Sequence, residues 1–221
     1  MQHGKIPAVF MRGGTSKALM FHRRDLPADP ALWDAIFLQA MGSPDPYGRQ
    51  LGGMGGGVTS TSKVCVIGPP TRDDADVDYT FAQVMVKEAR VSYRGNCGNM
   101  SAAVGPFAVA EGLAAAPGES ACVRVHNTNT GKIIHARFAV AKGQPLLDGD
   151  LAIPGVAGTG SPIHLDFLDP GGAMTGRLLP TGQRAPAAGA CSSRSVTTKA
   201  GEATGMTLGL SASESRSTAL A

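Results

Sequence analysis

With 221 residues the chain is long enough for one sizeable domain or two small ones, and its 43% hydrophobic content can furnish a packed core. Charged residues make up only 17%, aromatic residues 5%, and glycine fills 30 positions, about twice its usual share. That mixture excludes a coiled coil and a charge-rich disordered polymer, and a net charge of +3 is too small to argue for a nucleic-acid-binding face.

The first residues show no charged segment followed by an apolar one, as a secretory signal would. The longest nearly apolar run, residues 101–110, is far short of the roughly 18 residues a membrane span needs. Cys65, Cys97, Cys122 and Cys191 form no CxxC pair, so neither a zinc site nor a disulfide framework is indicated. The expectation is free thiols in a cytoplasmic protein that contacts neither membrane nor nucleic acid.

Residues 6–11 read as a strand, residues 12–17 as a turn, and residues 18–21 as a second strand completing a hairpin. Asp29 is placed to cap a helix with Pro30 at its first position. Leu32, Trp33, Ile36, Phe37 and Ala40 then recur at helical spacing up to Gly42. Residues 43–62 form a long glycine-rich segment, and loops of that length inside a domain tend to be functional or disordered. Strands are predicted at 63–67, 77–86 and 89–93. After the turn Gly95-Asn96-Cys97-Gly98-Asn99, residues 100–113 are apolar on every side, which predicts a helix buried all round and kinked at Pro106. Residues 122–126 and 132–140 read as paired strands, and a further strand pair or loop runs from Leu151 to Phe167.

The character changes after Gly182. Residues 184–221 contain no aromatic side chain, and Ser, Thr, Ala and Gly dominate them. Too little apolar surface is available there to offset the entropy of ordering, so this tail is expected to be mostly disordered.

Two residues stand out as carriers of chemistry. Cys97 precedes a buried helix and is flanked by glycines that let a ligand approach the backbone; there the amides of Gly98, Asn99 and Met100 favour a thiolate or a bound carboxylate. The alternative is a small buried hydrophobe in a turn. Lys63 closes the polar run Thr59-Ser60-Thr61-Ser62 and opens an apolar strand; a lysine at a strand mouth can act as acid or base, while a surface lysine is the commoner case. The turn around Gly14, Thr15 and Ser16 could bind an anion or simply close a hairpin.

Other motifs fail. A phosphate loop needs glycine where Ser62 stands, and the glycines of residues 52–57 miss GxGxxG in every register. The five histidines show no HxxxH or HExxH spacing, and Asp73, Asp74, Asp76 and Asp78 lack the glycine and terminal glutamate of a calcium loop, so no metal is expected.

Six segments occur in a telling order: Met11-Arg12-Gly13-Gly14-Thr15-Ser16-Lys17, Gly42-Ser43-Pro44-Asp45-Pro46-Tyr47, Ser60-Thr61-Ser62-Lys63-Val64, Asp76-Val77-Asp78-Tyr79, Gly95-Asn96-Cys97-Gly98-Asn99 and Gly105-Pro106-Phe107-Ala108. Over residues 6–182 the chain resembles the 2-methylaconitate cis–trans isomerase (PrpF) family, which includes methylitaconate isomerases and 4-oxalomesaconate tautomerases. The resemblance implies an α+β, diaminopimelate-epimerase-like half: a curved, mostly antiparallel sheet wrapped around a central buried helix. It implies Lys63 and Cys97 as the catalytic pair. It places substrate-carboxylate binding on Gly14, Thr15, Ser16 and Lys17, on Ser60, Thr61 and Ser62, and on Asn96, Gly98, Asn99 and Met100.

No cofactor is implied, and the partner is a small unsaturated tricarboxylate. Residues 1–183 would be the first isomerase domain, with the family's second domain absent and residues 184–221 disordered or frameshifted. The expected reaction is cofactor-independent double-bond movement by proton transfer at carbon, or keto–enol tautomerisation of an oxalomesaconate-like substrate. An inactive fragment is the competing expectation, with little turnover from this chain alone. An amino-acid racemase would need a second facing cysteine motif, and a thiol hydrolase a histidine beside Cys97; neither is indicated. The unpaired half should also expose apolar surface, a route to aggregation or a homodimer.

Overall fold

The computed structural model describes residues 4–169 and 193–210. The predicted hairpin is there and is longer than expected: β1 (Gly4–Gly13) pairs antiparallel with β2 (Ser16–His22) across Gly14 and Thr15. Gly14 has φ 51°, which the tight reversal demands and a side chain would resist. Asp29 caps the next segment by accepting from the Ala31 amide at 3.0 Å. A 3₁₀ turn (Pro30–Leu32) leads into α1 (Trp33–Met41), which ends at Gly42 in the left-handed region.

β3 (Lys63–Gly68), β4 (Val77–Val84) and β5 (Val91–Ser92) follow. Next comes α2 (Gly98–Ala110), which begins two residues before the predicted start and runs through Pro106. β6 (Ser120–Asn127) and β7 (Lys132–Ala141) form the expected hairpin, and β8 (Gln144–Pro145) adds a short pairing to β7. β9 (Pro162–Leu168) pairs with β7.

The tail corrects one expectation. Residues 193–210 form β10 (Ser193–Leu210), where disorder was predicted. Its first half pairs with β9 and its second half with β1, so two strand edges gain partners that neither α helix supplies. Those open edges outweigh the low apolar content of the segment, because an unpaired strand edge leaves a row of amides and carbonyls without partners. The remainder of the tail, residues 184–192 and 211–221, lies outside the described residues.

Among the described residues the hydrogen-bonded path runs β3-β2-β1-β10-β9-β7-β6-β4 and returns to β3 through the β3–β4 pairing, closing a ring. Most pairings are antiparallel; β2–β3 and β4–β6 are parallel. α2 sits inside. Residues Met100 to Val109 are buried all round, as predicted, against Met20, Cys65, Tyr79, Phe81, Val123, Ile134, Phe138 and Leu165 from the surrounding strands. α1 covers the outer face over Leu19, Phe21, Val64, Val66, Ala82 and Val84.

A helix fits inside such a ring only if its side chains are small. A Cβ on Gly105 would lie 2.8 Å from Cε1 of Phe138 and 2.9 Å from the Ala136 methyl. Gly105→Val should therefore destabilise the fold by ~1–3 kcal/mol through overpacking, read as a lower urea midpoint. An unchanged midpoint would mean that the helix has slack against β7.

The large apolar side chains left exposed include Tyr47, Leu51 and Val58 in the glycine-rich loop and Leu146 and Leu147 after β8. No described helix is long and apolar enough to cross a membrane, and no cluster of three potential metal ligands occurs among the described residues.

Candidate active site

Strand direction puts the two candidate residues at one end of the ring. The Asn99 side-chain Nδ2 donates to the Thr15 hydroxyl at 3.0 Å, fixing the start of β2 beside the start of α2. At the far end, His22 Nε2 meets Glu111 Oε2 at 2.9 Å, joining the end of β2 to the end of α2. β2 therefore runs alongside α2 in the same sense. β3 is parallel to β2, with Lys63 opposite Ala18. Lys63, the first residue of β3, thus lies at the end of the ring where Cys97 caps α2.

Alternation turns Lys63 inward. Cys65 and Ile67, of the same phase on β3, pack around α2, whereas Val64 and Val66 pack under α1. Lys63 is only 7% exposed. Its ammonium donates to Gln83 Oε1 at 2.6 Å and stands 5.1 Å from the centre of the Phe81 ring.

Cys97 is half-buried, with extended backbone (φ −104°, ψ 102°), and its carbonyl accepts the first helical bond, from the Ser101 amide at 2.9 Å. The amides of Gly98, Asn99 and Met100 precede that bond and have no partner within the helix, which makes this end electropositive. Asn96 Oδ1 accepts from the Ser101 hydroxyl at 3.2 Å, tying the turn to the first turn of the helix.

Close backbone packing sets the mouth. A Cβ on Gly13 would fall 2.4 Å from the Asn99 carbonyl oxygen, so β1 touches the helix start with nothing between them. Beneath the mouth lies Cys65, fully buried and close enough to feel both Lys63 and Cys97 electrostatically. Burial pushes its thiol well above the ordinary range, and burial likewise raises the Tyr79 phenol whose hydroxyl it faces. A thiol held protonated is a poor nucleophile. In the native protein iodoacetamide should label exposed Cys122 and half-buried Cys97 while Cys65 reacts only after denaturation. Labelling of Cys65 at a rate matching Cys122 would refute that ordering.

The other predicted binding residues divide. Thr15 is exposed at the mouth, Ser16 is buried beside it, and the Gly14 carbonyl accepts from Arg12 at 3.0 Å. Met100 brings only its amide, since its side chain is in the core. Ser60 and Thr61 lie on a 3₁₀ turn (Thr59–Thr61) leading into β3.

Two of the predicted binding residues have side chains engaged elsewhere. The Ser62 side chain is buried and its hydroxyl is engaged by Gln50 Oε1 at 2.6 Å and the Val58 carbonyl at 2.8 Å, so it fastens the glycine-rich loop and offers nothing to a ligand. Lys17 has the opposite strand phase from Ser16 and Ala18, and its ammonium stands 5.3 Å from the centre of the Phe10 ring on the outer side.

Sequence reasoning missed Gln83 and Gln50. Gln50 is buried; besides Ser62 it binds the Ser43 hydroxyl at 2.8 Å and the Gly57 amide at 2.9 Å, holding the long loop as one unit. The signal for Gln83 was a polar residue in the inward phase of Val77, Tyr79 and Phe81.

The family model described as PrpF protein matches residues 3–193. The chain is 51% identical over 178 residues to 3-methylitaconate isomerase of Eubacterium barkeri, covering 80% of this chain and 46% of that protein. It is 51% identical over 182 residues to 4-oxalomesaconate tautomerase of Pseudomonas putida, covering 82% and 50%. A crystal structure of methylitaconate-delta-isomerase superposes with a TM-score of 0.77 at 49% identity, over 83% of this chain and 47% of that one. The chain spans about half the length of the relatives it matches.

Proposed function

Because the chain belongs to the PrpF family, we propose that it carries the Lys63–Cys97 side of a cofactor-independent isomerase site that moves protons on a small unsaturated polycarboxylate. The supporting observation is the convergence of Lys63, Cys97 and the first turn of α2 at one end of the ring. The relatives named for methylitaconate and for oxalomesaconate match equally well, at 51% identity. What these substrates share is an unsaturated carbon framework carrying carboxylates, and a 2-methylaconitate-like tricarboxylate is the preferred choice.

The chemistry follows from the groups present. One member of the Lys63–Cys97 pair removes an allylic proton, and the C–H electron pair enters the conjugated system as a dienolate. The other member returns a proton at the far end of that system, or at the same carbon after rotation, so the atoms balance without an external reagent. Negative charge grows on the substrate carboxylate as the proton leaves. Amides of Gly98, Asn99 and Met100 at the helix start are suited to receive it, and preorganised donors aimed at developing charge lower a barrier most effectively.

The test is solvent exchange. The 221-residue chain is incubated in D₂O with methylaconitate-type and oxalomesaconate-type substrates, and deuterium at the allylic carbon is followed by NMR. Slow exchange above the buffer rate that is abolished by iodoacetamide is expected. Exchange at the buffer rate with every substrate, in a chain shown to be folded, would instead favour the inactive-fragment reading.

A further inference from the structure

Lys63 does not stand alone. Across the antiparallel β3–β4 register its partner is Gln83, and the ammonium donates to Gln83 Oε1 at 2.6 Å. The other end of that carboxamide is also committed: Nε2 donates to the Ser62 carbonyl at 2.9 Å and to the Thr59 carbonyl at 3.1 Å. This fixes which end is oxygen. A flipped amide would aim its NH₂ at an ammonium and its oxygen at two carbonyls, a repulsion on both sides. Gln83 is thus a bracket between the loop entering β3 and the amine at the strand's first residue.

The surroundings make the choice of a neutral partner informative. From β4 the amine meets Gln83 and Phe81; from β2 its register neighbour is Ala18; on its own strand the next inward residue is Cys65, which also feels Cys97. No carboxylate is among these neighbours. A carboxylate in the place of Gln83 would bind the ammonium more tightly and resist release of its proton, since an opposite charge within ~4–6 Å favours the charged form. An amide oxygen holds the amine in position with a weaker bias.

We propose that Gln83 is the positioning residue for Lys63, orienting its amine at the ring mouth through a neutral acceptor so that the proton stays transferable. The role in proton transfer rests on the function proposed for Lys63; the orientation rests on the geometry alone. The experiment separates the two. In the full chain, acylation of Lys63 by acetic anhydride is measured against pH by peptide mass spectrometry, with exposed Lys142 as internal reference.

Gln83→Glu should raise the Lys63 acylation midpoint by about one to three pH units, and Gln83→Met, which removes the acceptor, should lower it, with Lys142 unmoved in both. The opposite signs keep the test decisive if one variant folds poorly. In the deuterium-exchange assay, Gln83→Met should slow exchange at least tenfold with little change in substrate affinity. A Lys63 midpoint unmoved in both variants would overturn the positioning role. If the midpoints move as stated and the wild-type chain exchanges no substrate hydrogen, the orientation stands and the proposed reaction falls by itself.

Discussion

Replacing Cys97 with serine, or Lys63 with methionine, is expected to bring conversion of substrate to its isomer down toward the uncatalysed rate. General acid–base groups each contribute on the order of 10²–10⁴ in rate, or about 3–5 kcal/mol of barrier. Serine keeps the shape of the turn and can still donate a hydrogen bond, but its hydroxyl gives up a proton far less readily than a thiol does. Methionine fills the volume of the lysine stem beside Phe81 without the amine. Both variants should keep their thermal midpoints within a few degrees, because Cys97 is half-buried in a turn and Lys63 lies at a strand end. Conversion within a factor of two of wild type in either variant would remove that residue from the mechanism. The two losses should also fail to add, because a base without its acid partner completes no cycle.

Ending the chain at residue 192 is expected to have the largest structural effect. β10 is the link between β9 and β1: residues 193–199 lie along β9, and residues 200–210 along β1. Without it the ring opens, and two long strand edges present unpaired amides and carbonyls to solvent and to other chains. The matched PrpF segment ends at residue 193, where β10 begins, so the strand that closes the ring lies beyond that match. The truncated chain should elute as oligomers or precipitate, and amides of β1 and β9 should lose hydrogen-exchange protection first. A soluble monomer with an unchanged melting temperature would show that β10 contributes nothing to stability.

The local readings succeeded where one kind of information was enough. The β1–β2 hairpin follows from the Gly14-Thr15 turn between alternating strands, and the capped 3₁₀ turn that leads into α1 from Asp29 followed by Pro30. The all-apolar run at residues 100–109 could only be a segment buried on every side, and α2 is that segment. The ordered motifs were likewise sufficient to name the family. The tail was misread because composition measures the apolar surface a segment brings and not the strand edges waiting for it, here those of β1 and β9.

Side-chain direction was decided elsewhere. Lys17 and Lys63 look alike in the sequence, each beside Ser and Thr at the start of a strand, yet strand phase sends one toward Phe10 on the outer face and the other inward over Phe81. Ser62 reads as a hydroxyl available to a ligand, and only the folded loop shows it bound to Gln50. The Lys63–Gln83 pair joins residues twenty positions apart and exists only because β3 and β4 settle into one register. What the sequence by itself determined was most of the elements and the family, because these depend on local backbone preference and on motif order. Tertiary structure alone decided which polar groups face the mouth, which are consumed in holding loops, and what seals the ring, because those follow from register and edge pairing between distant segments.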